Sequence, residues 1–357
     1  MNKTFSCFCV LLFSLCFGIA GKSQDMHFSQ FEEAPMMLNP ALTSAYHSFR
    51  SSVNYKDQWK SVTVPYKTIG ASFEMKLNSS AWKKEHSGKV SVYHRSMDRM
   101  CAGLMFFDDK AGDGNMQLFQ VHLSLSSSIP LNAMNILAIG LQGGYMQHSV
   151  NYAKLLWPDQ FNGTGYDPSM TSGENYSRQN YSSADFSVGM IWNHGYEQAD
   201  KSSKTSVKWT VGAALFHVNR AEHTFYQDPG YKMYLKQVYH ARFEIGNTQK
   251  NIAVLPDFMY ALQGPSRELL IGGMFRYRLK DETKYTGYIK SAYFSLGAHY
   301  RNKDAAILSS LIEFGNYAIG MSYDINTSNL DNASRGRGGF EIMIRYSSAR
   351  AFLYQNK

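Results

Sequence analysis

Asp108-Asp109-Lys110-Ala111-Gly112-Asp113-Gly114 invites a calcium reading, because closely spaced carboxylates and glycines are how a loop gathers oxygen ligands. The spacing fails that test. Counted from Asp109, the third position is Ala111 and the twelfth is Gln120, where a calcium loop needs an oxygen donor and a bidentate glutamate. The same run suits a surface hairpin turn, with Gly112 and Gly114 expected to supply the positive φ angles. The eleven histidines are scattered: His217, His223 and His240 repeat no metal-ligand spacing, and His122 and His299 stand singly in alternating segments. No serine sits in a G-x-S-x-G elbow, which leaves a serine–histidine pair formed across strands as the one open hydrolase arrangement. The chain therefore reads as non-enzymatic, with no cofactor and no metal.

What would position any such residues is a long series of strands. Ile69, Ala71, Phe73, Met75 and Leu77 interleave with Thr68, Ser72, Glu74 and Lys76; Phe119, Val121, Leu123 and Leu125 interleave with Gln120, His122, Ser124 and Ser126. The pattern returns at Ala184–Trp192 and at 292–301, where Ser295, His299 and Arg301 oppose an apolar row. An apolar row backed by polar and charged residues fits a strand with one face to lipid and the other to a wet lumen, and only closed barrels satisfy every backbone group in a bilayer. The fold expected is all-β, a transmembrane antiparallel β-barrel of about fourteen strands between residues 48 and 347. Tyr and Phe number 24 and 22 in a chain of negative mean hydropathy, as a barrel with aromatic girdles requires and a helical membrane protein does not.

Residues 1–23 read as a signal peptide: Lys3, an apolar stretch from Phe8 to Ala20, then Gly21-Lys22-Ser23. That stretch is shorter than the roughly 20 residues of a spanning helix. Cys7, Cys9 and Cys16 leave with it, so Cys101 has no internal disulfide partner. The formal charge of +8 falls to +6 without Lys3 and Lys22, and no nucleic-acid fold motif accompanies it. Residues 24–45, with Asn39-Pro40 as a turn former, precede the strands as a segment expected to pack in or beneath the lumen. The barrel is expected over 46–348 and a tail over 349–357. With the first strand running outward, the turns near Pro130, Gly246-Asn247 and Gly315-Asn316 are periplasmic. The long connections near 150–181, 218–236 and 325–337 lie at the cell surface, while 79–97 is long on the short-turn side. Trp59 and Trp82 suit interfacial belts. In the longest surface loop, Trp157, Asp159, Gln160 and Phe161 form a candidate partner-binding cluster, although a loop folded over the mouth would carry the same residues.

The order of short motifs resembles the PorP/SprF family of type IX secretion system outer-membrane proteins of Bacteroidetes. It begins with His27-Phe28-Ser29-Gln30-Phe31 and Leu38-Asn39-Pro40-Ala41, then takes in Gln58-Trp59, the Asp109–Gly114 turn and Asp159-Gln160-Phe161. It closes with Gly320-Met321-Ser322-Tyr323-Asp324-Ile325-Asn326, Ser328, Leu330 and Gly338-Gly339-Phe340-Glu341-Ile342. Met26 departs from the family, which commonly has Pro after Gln-Asp. The resemblance implies an outer-membrane barrel in export or surface anchoring of secreted proteins, a large gliding adhesin among them, with periplasmic ring lipoproteins, such an adhesin and outer-membrane lipids as partners. It brings no catalytic residues, and it implies architectural roles for Phe28, Ser29, Gln30, Asn39, Pro40, Tyr323, Asp324, Gly339, Phe340 and Glu341. Tyr346, ending the last strand, is expected to carry the barrel-insertion signature. The competing reading is a transport barrel for small hydrophobic or polar solutes.

Overall fold

The computed structural model describes residues 27–58, 64–77, 99–132, 134–174, 178–195, 205–225, 230–247, 251–280, 291–327 and 337–348. The leader, Met26, Trp59, the 79–97 connection with Trp82, Ser328, Leu330 and the tail lie outside these residues.

Fourteen antiparallel strands form one closed barrel in chain order. They are β1 (Phe49–Gln58), β2 (Tyr66–Lys76), β3 (Met100–Ala111), β4 (Met116–Pro130), β5 (Asn135–Ser149), β6 (Asn180–Gly195) and β7 (Thr205–Phe216). The second half is β8 (Lys236–Asn247), β9 (Ile252–Gln263), β10 (Ser266–Lys280), β11 (Ala292–Arg301), β12 (Ala305–Phe314), β13 (Tyr317–Asn326) and β14 (Arg337–Ser347). Every strand has at least the roughly nine to eleven residues that a tilted crossing needs. Closure is made by β1 on β14, in register from Arg50 opposite Ser347 to Gln58 opposite Gly339. One rim, here the loop rim, carries the long connections over 150–179 and 217–235. The other, the turn rim, carries the short turn at Gly315-Asn316 and the outer ends of β1 and β14.

The two-residue alternation sorts as the period demands. Ile69, Phe73, Leu123, Leu125, Phe186, Leu296 and Leu308 point outward, while Glu74, His122, Ser124, Asp185, Ser187, His299 and Arg301 point inward and are buried. The lumen departs from the wet interior expected of those inward charges: they are shielded because residues 27–45 fill it. This plug is a chain of short turns, a 3-10 turn at Phe31–Glu33, one α-turn at Pro35–Leu38 and a second 3-10 turn at Pro40–Leu42. Phe31, Leu38, Ala41, Leu42 and Ala45 pack on Ala138, Ile191, Ala214, Val238, Met259 and Leu270 of β5 to β10. A smaller apolar contact, Phe28 and Ala34 on Phe107 of β3, holds the plug on the other side of the wall.

The hairpin between β3 and β4 is a turn, with one correction. Gly112 has φ +67°, but the second left-handed residue is Asn115 (φ +45°), not Gly114. Asparagine tolerates that region through local side-chain bonding. Gly114 instead makes room for the long loop, since a Cβ there would stand 3.0 Å from Leu155.

Candidate functional site

Wall and plug are joined by three contact sets. The first lies near the loop rim at the closing seam. Lys56 of β1 faces Glu341 of β14 directly in register, and its Nζ stands 2.6 Å from Glu341 Oε1. The Ser29 backbone N–H donates to both Glu341 oxygens, at 2.8 and 2.9 Å, and the Ser29 hydroxyl donates to Asp324 Oδ2 at 2.9 Å. Arg301 donates to that hydroxyl at 2.7 Å and to Asp324 at 3.2 Å, and its Nε lies 3.4 Å from Glu268, which His27 meets at 2.6 Å. The side chains of Lys56, Glu268, Arg301, Asp324 and Glu341 are 1–6% exposed, so each charge depends on its partners rather than on water.

The second set holds the plug near the turn rim. Glu33 is bound by Arg50 at 2.9 Å and by Arg345 at 2.7 Å, and Arg345 continues to Glu313 at 2.6 Å. Glu32 pairs with Arg242 at 2.9 Å. Burial alone would raise the Glu33 carboxyl, but the guanidiniums of Arg345, Arg50 and Arg242 outweigh it and hold the group down to about 2. For Glu32 burial wins over Arg242, and its pKa is raised. His47 is lowered to about 4 by burial and then by Arg50 and Arg345. Beside these groups lies a cavity of about 230 Å³.

The third set is a glycine notch on the opposite wall. A Cβ on Gly140 would come within 2.3 Å of Ala41 N, and one on Gly189 within 2.0 Å of Asn39 Oδ1. Gly140 and Gly189 are direct cross-strand partners in β5 and β6. Only glycines let the Asn39-Pro40 turn approach the wall this closely. Asn39 then donates to the Met190 and Ala213 carbonyls at 3.1 and 3.2 Å, while its own oxygen accepts from Ala41 N–H at 2.9 Å.

Motif residues from the two ends of the chain therefore meet: Ser29 and Gln30 with Asp324 and Glu341, with Phe28 edge-on to Phe107 at 6.3 Å between centroids. Asn39 and Pro40 occupy the notch. Tyr323 and Phe340 are brought together differently, as a cross-strand pair on the lipid face, and Gly339 sits opposite Gln58 across the seam. Trp157, Asp159, Gln160 and Phe161 stand apart from the plug on the loop rim. Gln160 accepts from Trp157 N–H at 3.3 Å and donates to the Met170 carbonyl at 3.2 Å. Phe161 lies edge-on to Tyr166 at 5.3 Å and is 49% exposed. Three of the histidines meet carboxylates or the plug, His217 on Asp185 (2.8 Å), His299 on Asp257 (3.0 Å) and His240 on Asn39 (3.1 Å), while His223 meets the Tyr181 hydroxyl at 2.8 Å. Among the described residues no group of three or more His, Cys, Asp or Glu could hold a metal ion. Lys56, Arg50, Arg345, Glu33 and Glu268 had no motif to single them out. The signal was their parity: charged residues on the inward face of strands, and two adjacent glutamates just before them.

The family described as type IX secretion system membrane protein PorP/SprF matches residues 20–346, which include the whole plug and nearly all of the last strand. The chain belongs to the PorP/SprF family. That membership and the closed barrel place it in the outer membrane with a role in type IX secretion. No curated protein matches it in sequence. Among solved structures this PorP/SprF chain is similar to CdiB from Acinetobacter baumannii, at 8% identity and TM-score 0.41 over 84% of this chain and 60% of CdiB. It is similar to the Pseudomonas putida toluene transporter TodX at 10% identity and TM-score 0.44, over 92% and 96% of the two chains. A further similarity is to BamA from Haemophilus ducreyi lacking POTRA domains 1-3, at 8% identity and TM-score 0.38 over 84% and 70%.

Proposed function

We propose that this barrel is a holding component of type IX secretion. It would bind a secreted protein, such as a large adhesin, at its loop rim and meet periplasmic ring lipoproteins at its turn rim. One observation carries this: the lumen is filled by a plug clamped to the wall near both rims, which suits a rigid mount better than a conduit. The loop rim offers exposed apolar groups, Leu156, Phe161, Tyr166 and Tyr231 among them, of the kind that anchor protein partners. No step of bond chemistry is assigned to any residue. The first strand is taken to run outward, so that the turn rim faces the periplasm.

A mild-detergent pull-down on the tagged barrel, followed by mass spectrometry, tests the proposal. One giant surface protein, ring lipoproteins or both should remain bound. Recovery of neither, together with steady solute conductance in a planar bilayer, would replace holding with transport.

A further inference from the structure

The cavity at the turn rim is lined by more cations than carboxylates among the described residues. Its wall carries Arg50, Lys208, Arg242, Arg276 and Arg345 against two wall carboxylates, Glu244 and Glu313. Glu32 and Glu33 of the plug bring the carboxylates to four against five cations among the described residues. Arg276 is the loosest of the paired guanidiniums. Its carboxylate partners Glu313 and Glu244 are 3.4 and 3.8 Å away, against 2.6–2.9 Å for the pairs of Arg50, Arg242 and Arg345. The Nε–H of Arg276 is buried without an acceptor among the described residues, and its guanidinium stands 5.7 Å from the Tyr293 ring, with Arg278 beside it at 5.8 Å. A second cavity of about 110 Å³ opens on Arg276 and Glu244 from the side of Arg278 and Tyr293. The two spaces share Arg276 as a common wall.

We propose that this vestibule binds an acidic peptide segment with adjacent carboxylates, presented from the turn rim, and that the plug's Glu32-Glu33 pair occupies part of the same arginine set. The plug itself displays the recognition chemistry. Two consecutive carboxylates on one short turn reach three guanidiniums, each in the charge-assisted geometry that arginine offers a carboxylate. A lone small anion would engage one or two of these groups. A peptide with consecutive acidic residues can add a carboxylate to this cation-rich lining and reach the open donor of Arg276 together. The binding claim stands on the vestibule alone; that the peptide belongs to a secretion partner rests on the function proposed above.

The test uses the full-length barrel in detergent and fluorescein-labelled Gly-Ser-Glu-Glu-Gly-Ser, with Gln-Gln and Lys-Lys versions as controls, read by anisotropy. The Glu-Glu peptide should bind at least about tenfold tighter than either control and weaken with added salt. Arg276→Gln and Lys208→Gln should each reduce that affinity about tenfold. Glu32→Gln should increase it by freeing Arg242. A shift in gel mobility between the unheated and the boiled barrel confirms that each variant is folded. Equal binding of all three peptides, or unchanged binding in both folded wall variants, would overturn the proposal. So would displacement by phosphate or succinate, at matched ionic strength, as effective as displacement by unlabelled peptide, since the site would then take small anions. Peptide binding without any secretion partner in the pull-down would leave the vestibule standing and remove only the function.

Discussion

The buried ion pair between Lys56 and Glu341 is the residue on which seam and plug both depend. Glu341 accepts from Lys56 and from the Ser29 backbone, so removing its charge leaves an ammonium that is 1% exposed with only Asp324, 3.9 Å away and shared with Arg301, as a carboxylate partner among the described residues. Glu341→Gln is expected to destabilise the folded barrel by about 3–5 kcal/mol, measured by urea unfolding of the refolded protein. Adding Lys56→Met should recover part of that loss, because the buried ammonium that has lost its closest carboxylate is then gone. A fully additive double variant would mean that the two side chains do not act on each other. Acid acts on the other clamp. His47, lowered from 6.5 to about 4, contributes stability that is present above 6.5 and lost as pH falls through 4. Glu33, lowered from 4.5 to about 2, contributes stability that is present above 4.5 and lost as pH falls through 2. Its shift corresponds to something on the order of 3 kcal/mol. Glu32, raised by burial, works in the opposite sense. Protease protection of the plug should therefore fall from pH 6.5 downward. Glu33→Gln should flatten the part below 4.5; an unaltered profile in that variant would assign the acid sensitivity elsewhere.

At the scale of elements, the strands and the plug are fitted by small residues at particular heights. Gly189→Val places a branched side chain where Asn39 Oδ1 would be 2.0 Å from its Cβ, and the backbone of β6 cannot yield without breaking its ladders. The expected result is a barrel that still closes, with its plug turn displaced at a cost of about 1–3 kcal/mol or more. Protease should then cut within residues 27–45 of the variant while the strands remain intact on a gel. Resistance equal to wild type would show that the notch is not what seats the plug. At the turn rim Tyr346 lies 5.2 Å from Tyr317 and 6.0 Å from Phe49, as part of an aromatic girdle across the seam. Tyr346→Asp is expected to impair membrane insertion, measured by fractionation of the outer membrane; normal insertion would separate this residue from the insertion signature.

For the whole molecule, a filled lumen predicts electrical silence. Wild-type protein in a planar bilayer should conduct little, and removal of residues 27–45 should produce steady open-channel current; large conductance in the intact chain would contradict a seated plug. Much of this architecture was legible in the residues. The alternation at 66–76 and 116–130 specifies strands and assigns each residue to lipid or lumen, because a period of two leaves no other choice once one face is apolar. The calcium-like run at Asp109 was also legible as a turn, although the choice of Asn115 over Gly114 for the second positive φ depended on Leu155 arriving from a distant loop. The candidate site was legible only as fragments. Ser29, Asp324 and Glu341 were marked as motif positions, and nothing local tells that residues about three hundred positions apart share hydrogen bonds. Nothing in the sequence singles out Glu33, Arg50 and Arg345, because a lumen position reads the same whether it faces water or a plug. Facing and an outer-membrane wall of about fourteen strands were thus determined by the sequence itself, through a periodicity each segment carries alone; the exact number came with closure. Which inward charges pair, and that the interior is packed rather than wet, was decided only when barrel closure brought β1 beside β14 and set the plug between them.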